Sequence, residues 1–422
     1  MRPFPSEVPL NGADYLLLAF DRAMTRGTDH GNVCHLVLEL DGPLGRDALA
    51  EAANVPWLRW LASLRFRPLH RFRPAHWVAG EPTEVPITQR TLERFSDLPS
   101  RFAHSLDLTR EAPIGLELVH AEGRSAVVLR WHHAMFDARG AELALTHLVD
   151  GADLDQDVLL GKPTTLAPLT TRLWAAKAAR DFIWRRSLGS VSFLGPSRAP
   201  RGAQLHFRRL CFDEAQTARI EARARQVGGL MGRASFGLAV TASAISNARV
   251  DLGGDELLVP VPQDRRKRSA KGPVLGNQLN LLFYRLRRST LHQPEQVCRD
   301  LVEQMREMMR QRLHETYPTL LDFCRLVPLH VLHGIVRLPT RGRMASFGFS
   351  DTGESLATLD GIAGVRVRDI AHYPANMHPP GITVVFTRFR GRLSVSVSWL
   401  DGCLNADEAA HVCRAIHGGL SA

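Results

Sequence analysis

Ser125-Ala126-Val127-Val128-Leu129-Arg130-Trp131-His132-His133-Ala134-Met135-Phe136-Asp137 runs from an apolar strand straight into two histidines and an aspartate. Just before it, Ile114 to His120 reads as a second strand, and Ala121-Glu122-Gly123-Arg124 supplies the turn of a hairpin. Just after it, Ala141 to Val149 has helical spacing. The histidines and Asp137 therefore sit at a strand-to-helix junction. Side chains there can project into a cleft while the backbone is held on both sides. A neutral imidazole, with an unperturbed pKa of about 6.5, can take a proton from a hydroxyl or an amine at neutral pH. That suits attack on a thioester, whose acyl carbon is already activated, without a covalent enzyme intermediate. Asp137 offers a carboxylate to hold the site in shape. A metal ion shared by both histidines is disfavoured, because neighbouring side chains on a strand point to opposite faces.

Outward from this point, mixed strands and helices alternate in both halves. Cys34 to Leu40 reads as a strand, Asp41-Gly42-Pro43 as a turn, and Leu44 to Val55 as a helix. In the second half, Glu214 to Val227 and Ala234 to Ser246 read as helices, and Leu257 to Val261 as a buried strand. The basic loop Asp264-Arg265-Arg266-Lys267-Arg268 follows. A long helix starts at Pro294, with Val297, Leu301, Met305, Met308 and Met309 on one face as core filler. Ile382 to Phe389 and Arg392 to Trp399 form a hairpin, with Ser394, Ser396 and Ser398 alternating with apolar residues. A last helix has Asn405 as its cap and Glu408 three residues on, and is expected to end before Gly418-Gly419. The pattern predicts an α/β protein of two lobes rather than a barrel or a bundle.

The 422 residues suit two such units: an N-terminal lobe over 1–150, a connection over 151–204 and a C-terminal lobe over 205–422. The connection is marked by acidic residues 153–157 and by Pro-rich stretches at 161–171 and 195–202. Between those stretches lies Arg172 to Arg186, a basic, aromatic helix. It suits either docking on an anionic membrane surface, with Trp174, Ala175, Ala178, Phe182 and Ile183 on one side, or packing of its tryptophans on the protein itself. No stretch is long and apolar enough for a membrane-spanning helix. The first residues resemble neither a signal nor a transit peptide, so the expected compartment is the cytoplasm. The six cysteines are scattered and read as small buried hydrophobes, neither a zinc cage nor a disulfide framework.

A net charge of +10 fits a polyanionic partner: nucleic acid, an anionic membrane, or coenzyme A or an acidic carrier protein. It also fits plain solubility. No nucleic-acid-binding motif is present, and nucleic acid is set aside.

The run from His132 to Asp137 resembles the HHxxxDG signature of the condensation-domain, chloramphenicol-acetyltransferase-like superfamily, which includes wax ester synthases and polyketide-associated acyltransferases. Leu44 to Arg59, ending Val55-Pro56-Trp57-Leu58-Arg59, is similar to that family's early helix and its sequel. Val259-Pro260-Val261, Arg265-Arg266 and Gly276-Asn277 look like its second-lobe segment, and Ser350-Asp351-Thr352-Gly353 like its Ser-Asn-x-Gly strand, with Asp for Asn. The resemblance covers most of the chain in the right order. It implies two lobes, each a mixed sheet packed by helices, with the active site in a tunnel between them. It makes His133 the base, and His132 and Asp137 mainly structural, with Asp137 paired to Arg265 or Arg266. Gly140, Asn277 and Ser350 would support the site. No resident cofactor or metal is implied; a coenzyme A or phosphopantetheine thioester would be the co-substrate. His132 to Asp137 also fits the HxxxxD box of glycerolipid acyltransferases, but their downstream Pro-Glu-Gly motif is missing.

Two departures stand out. Ala138 replaces the glycine after the aspartate, with glycine only at Gly140, and the DFGWG element of assembly-line condensation domains is absent. The first leaves open a catalytically silent relative that scaffolds a carrier protein or partner enzyme. The second favours stand-alone ester formers.

Overall fold

Six strands build the sheet that carries the motif. The computed structural model describes residues 3–422 apart from 26–27, 29, 71–72, 103–104, 163–165, 197–199, 230–231, 249–252 and 268. Arg268 of the basic loop and parts of both Pro-rich stretches thus lie outside the described residues. The six-stranded sheet has the order Gly361–Ile362, Val365–Tyr373, Val33–Leu40, Arg124–His132, Ile114–Ala121, Ile87–Thr91. All its neighbours are antiparallel except the last pair. The expected hairpin is present, turning at Glu122 and Gly123, both at positive φ.

A four-stranded sheet belongs to the other lobe: Gly348–Glu354, Ile382–Phe389, Arg392–Leu400, Leu205–Phe212. Its first pair is parallel and the others antiparallel. Helices Glu214–Gly228, Gly232–Ala248, Pro294–Arg310 and Ala406–Ser421 pack together in this lobe. Strand Val365–Tyr373 comes from the C-terminal half yet pairs with Val33–Leu40, so the division at residue 205 is crossed by one sheet. This explains why the serines of the hairpin are buried. Ser396 is paired with Arg209, whose guanidinium reaches Glu39 and Asp369, both at 3.0 Å, on the six-stranded sheet. The serine face thus looks at the other lobe, not at water.

Several expectations need correction. The helix expected over Leu44 to Val55 is present but shorter, Arg46–Ala53, and a second helix, Pro56–Ser63, follows at once. Val55 precedes a proline and is extended (φ −106°, ψ 142°), while Pro56 sits at the start of the second helix, where its missing N–H costs nothing. The last helix is closed by the expected box of Asn405 and Glu408, but it runs through Gly418 and Gly419 to Ser421. A Cβ on Gly419 would lie 2.9 Å from Val240 Cγ1, so this glycine permits close helix packing rather than termination. Of the methionine stripe, Met308 is buried, Met305 half-buried and Met309 exposed. Cys211 is exposed and Cys324 half-buried, while the other four cysteines are buried.

The connecting helix spans Leu169–Ser187 and buries Ala176, Ala179, Phe182 and Ser187. Trp174 does not join them. It is 71% exposed, with Leu169, Leu173 and Trp184 also exposed. The tryptophans therefore do not pack inward as one of the two expectations had it. No helix among the described residues is long and apolar enough to cross a membrane.

Candidate active site

The motif strand Arg124–His132 hands over to helix Ala138–Val149 through a short turn, and Asp137 caps that helix by accepting from the Gly140 N–H at 2.8 Å. The same carboxylate accepts from Arg266 Nη1 at 3.0 Å on each oxygen and from the Gln278 N–H at 2.8 Å. Arg266, not Arg265, is thus the partner. Its side chain is 2% exposed, and its Nε donates to the Pro273 carbonyl. Arg265 lies elsewhere, with burial pushing its pKa down and Asp322 opposing the shift. One residue therefore starts the helix after the motif and ties in the second-lobe loop. Phe136 and Gly276 complete the seam as a parallel bridge, with the Gly276 N–H donating to the Met135 carbonyl at 2.7 Å.

Ala138 is the first residue of the helix and does not have positive φ, so the glycine it replaces is not needed for conformation. Gly140 is required for space: a Cβ there would lie 2.6 Å from the Val274 carbonyl and 2.7 Å from Phe136 Cβ.

The two histidines have different surroundings. His132 is fully buried; its Nδ1 accepts from the Ala134 N–H at 3.1 Å, which leaves Nε2 as the protonated nitrogen, 3.2 Å from Asp21 Oδ1. The ring thus lies between the turn and the first helix, Gly12–Met24. His133 instead lines a cavity. Its Nδ1 is buried without a hydrogen-bond partner among the described residues, which leaves Nε2 as the nitrogen for the cavity. Burial pushes the His133 pKa below the ordinary value, and the net shift remains downward although its own backbone, the Asp137 charge and Asn277 oppose it. His133 is therefore neutral at neutral pH. The acid limb of kcat/KM is expected to have its midpoint below pH 6.5, the ordinary histidine value, with a flat rate above it. A pH–rate profile checks this, and a midpoint above 7 would contradict it.

Asn277 holds the base from behind. Its Nδ2 donates to the His133 carbonyl and to Asp14 Oδ1, both at 2.8 Å, and its N–H donates to the same Asp14 oxygen at 2.7 Å. Asp14 and Asn11 form a capping box at the start of the first helix, and Asn11 Nδ2 donates back to the Asn277 carbonyl at 3.1 Å. Burial pushes the Asp14 carboxyl up to about 7 in spite of these amide donors. The sequence reading missed Asn11 and Asp14. Their Asn-x-x-Asp capping spacing was visible, but nothing local shows that its other face receives Asn277.

The cavity, about 200 Å³, lies between the lobes. Leu16, Leu17 and Phe20 of the first helix form one wall, and Leu279, Leu281 and Phe347 of the second lobe another. Ser350 and Ala138 line it too. Asp351, which stands where the resemblance expects Asn, bonds Arg388 at 3.1 Å and the Gly353 N–H at 2.9 Å. The expected site residues thus converge, apart from Arg265.

No family model and no curated protein matches the chain by sequence. Solved structures do. Trichothecene 15-O-acetyltransferase from Fusarium sporotrichioides aligns over 99% of this chain and 95% of its own, with 12% identity and a TM-score of 0.70. The first condensation domain of the calcium-dependent antibiotic synthetase, in complex with a substrate analogue, aligns over 98% and 95%, with 16% identity and a TM-score of 0.65. The epimerization domain from the third module of tyrocidine synthetase B aligns over 100% and 98%, with 10% identity and a TM-score of 0.60. Over nearly its whole length, this chain has the two-lobed fold shared by condensation domains and chloramphenicol-acetyltransferase-like acyltransferases.

Proposed function

We propose that the protein is an acyltransferase that moves an acyl group from a coenzyme A or carrier-protein thioester to an alcohol or amine, with His133 Nε2 as general base. The observation that carries this reading is a histidine held neutral at the wall of an apolar cavity between two lobes. The acceptor's oxygen or nitrogen attacks the thioester carbonyl carbon while His133 takes its proton. The tetrahedral intermediate collapses with loss of the thiolate, which receives that proton from His133. Asp137, His132 and Asn277 orient the base and do not exchange protons with substrate. The apolar lining favours an acyl chain or an acceptor with a hydrocarbon body. Ala138, the one feature that suggested a silent scaffold, has a conformation open to any residue and supports neither reading.

A thiol-release assay with acyl-coenzyme A donors of increasing chain length, each with and without an aliphatic alcohol, tests the proposal. Release that depends on the alcohol is expected. A protein that binds these donors without ever releasing thiol would favour the scaffold.

A second observation bears on location. The exposed Leu169, Leu173 and Trp174 share the connecting helix with Arg172, Lys177, Arg180 and Arg185, which suits an anionic lipid surface. Arg186 is a poor contributor, since it is paired with Glu307 and Gln304, and Lys177 and Arg180 are partly offset by Asp181, which both of them contact. We expect weak co-sedimentation with phosphatidylserine vesicles, lost at high salt and reduced several-fold by Trp174→Ala with Arg185→Ser, each exposed basic residue adding about 1 kcal/mol. No binding to strongly anionic vesicles would sink the idea and make a water-soluble acceptor the better choice.

A further inference from the structure

A second histidine lines the same cavity and takes no part in the chemistry above. His372 ends the strand Val365–Tyr373 that crosses to the six-stranded sheet. It is buried against Glu142, on the helix that follows the motif, and Ser355, just beyond strand Gly348–Glu354. His372 Nε2 lies 3.1 Å from Glu142 Oε1 and 3.2 Å from Ser355 Oγ. The Ser355 hydroxyl donates to the same carboxylate oxygen, and Arg139 Nη1 donates to the other at 2.8 Å. Burial pushes the Glu142 carboxyl up, but these hydrogen bonds and the electrostatic interaction with His372 together outweigh it and hold it below the usual carboxylate range. An ionised carboxylate can only accept, so the hydrogen on Nε2 is directed to Glu142.

These bonds settle which ring nitrogen faces Glu142. With Nε2 as the donor there, Nδ1 is the ring's remaining hydrogen-bonding atom. Nδ1 meets no partner among the described residues. Two other polar side chains of the wall are engaged: Thr352 donates to the Phe386 carbonyl at 3.2 Å and Thr383 to Asn376 Oδ1 at 3.0 Å. A largely apolar cavity thus holds two histidine nitrogens without partners among the described residues, Nε2 of His133 and Nδ1 of His372.

We propose that His372 is a substrate-contacting, specificity-determining residue, and that its ligand carries a second hydrogen-bonding group, a hydroxyl, away from the position that is acylated. The inference rests on the cavity being the substrate site. A plain aliphatic alcohol leaves Nδ1 dry and unsatisfied, whereas a molecule with hydroxyls at both ends of an apolar body satisfies both histidines. The residue acts by binding and moves no proton.

The test compares binding of aliphatic α,ω-diols and the matching mono-alcohols, from eight to fourteen carbons, by calorimetry, so that turnover is not needed. The wild-type protein is expected to bind the diol of best-fitting length roughly 3–10-fold more tightly than its mono-alcohol, the span of one net hydrogen bond. His372→Gln keeps an N–H for Glu142 near the Nε2 position but removes the polar atom at Nδ1. It should fold, bind both ligands, and lose the preference. His372→Asn, which keeps an amide near Nδ1, should retain part of it and serves if the glutamine variant does not fold. Equal binding of diol and mono-alcohol to the wild type at every length would overturn the role of His372 and leave the cavity reading standing. A preference that survives in His372→Gln would do the same and move the contact to Ser350 or Tyr317. Binding of neither series would overturn the cavity as an apolar substrate site, and this inference with it.

Discussion

Replacing His133 by alanine is expected to lower kcat by about 10²–10⁴, the usual contribution of a positioned general base, with the thermal midpoint changed little. The effect should fall on kcat rather than on donor KM, because the imidazole contributes a proton acceptor while the apolar walls contribute the binding. The fold should tolerate the change, since the seam runs through the backbone of His133, not its ring: the carbonyl accepts from Asn277 Nδ2 and the N–H donates to the Asn32 carbonyl at 2.8 Å. His132→Ala should behave in the opposite sense. It removes a fully buried ring between the Ala134 N–H and Asp21, so stability should fall along with activity. Near-wild-type turnover in His133→Ala would remove the base assignment.

The second large effect concerns Asp137. Asp137→Ala should destabilise the protein by about 3–5 kcal/mol, measured by urea unfolding, because it strands the guanidinium of Arg266 in the seam between the lobes. The lower end of that range is the better expectation. Arg266 Nη1 keeps Asp264 at 3.0 Å, although the Asp264 side chain is 41% exposed and its field is partly screened. Loss of the helix cap at Gly140 adds about 1 kcal/mol. Asp137→Asn separates these contributions, since its amide oxygen still caps the helix while the charge is lost. It should fall between wild type and alanine. Asp137→Ala that is as stable as wild type yet inactive would show that the carboxylate acts in the chemistry instead.

Some of this was legible in the sequence and some was not, along a physical line. The hairpin, the strand-to-helix junction at His132 to Asp137 and the Asn405 cap are local: their signals are periodicity, turn residues and spacing within a few positions. The resemblance added order along the chain, and the expected architecture of two lobes with His133 at a cavity between them is the observed one. The choice between Arg265 and Arg266 was not legible. The strand ends at Asp264, and beyond it the alternation that would assign adjacent side chains to opposite faces is lost. Which of the two arginines turns toward Asp137, more than a hundred residues away, depends on how the lobes dock. The same holds for Trp174: helical spacing offered an apolar stripe, but the face that packs inward is the one carrying Ala176, Ala179 and Phe182.

What the sequence by itself determined about this protein is therefore its local grammar: which segments are strands or helices, where the reactive pair sits, and that an acidic residue closes the turn behind it. Only the tertiary structure decided the long-range pairings: Asp14 with Asn277, Asp137 with Arg266, and Glu142 with Ser355 and His372. Each joins residues more than a hundred positions apart. No periodicity spans such distances, and a carboxylate's partner is chosen by which surfaces bury one another once both lobes have formed. The sequence could thus point to the base, but the assembled lobes decided what holds it in place and what else faces the cavity it serves.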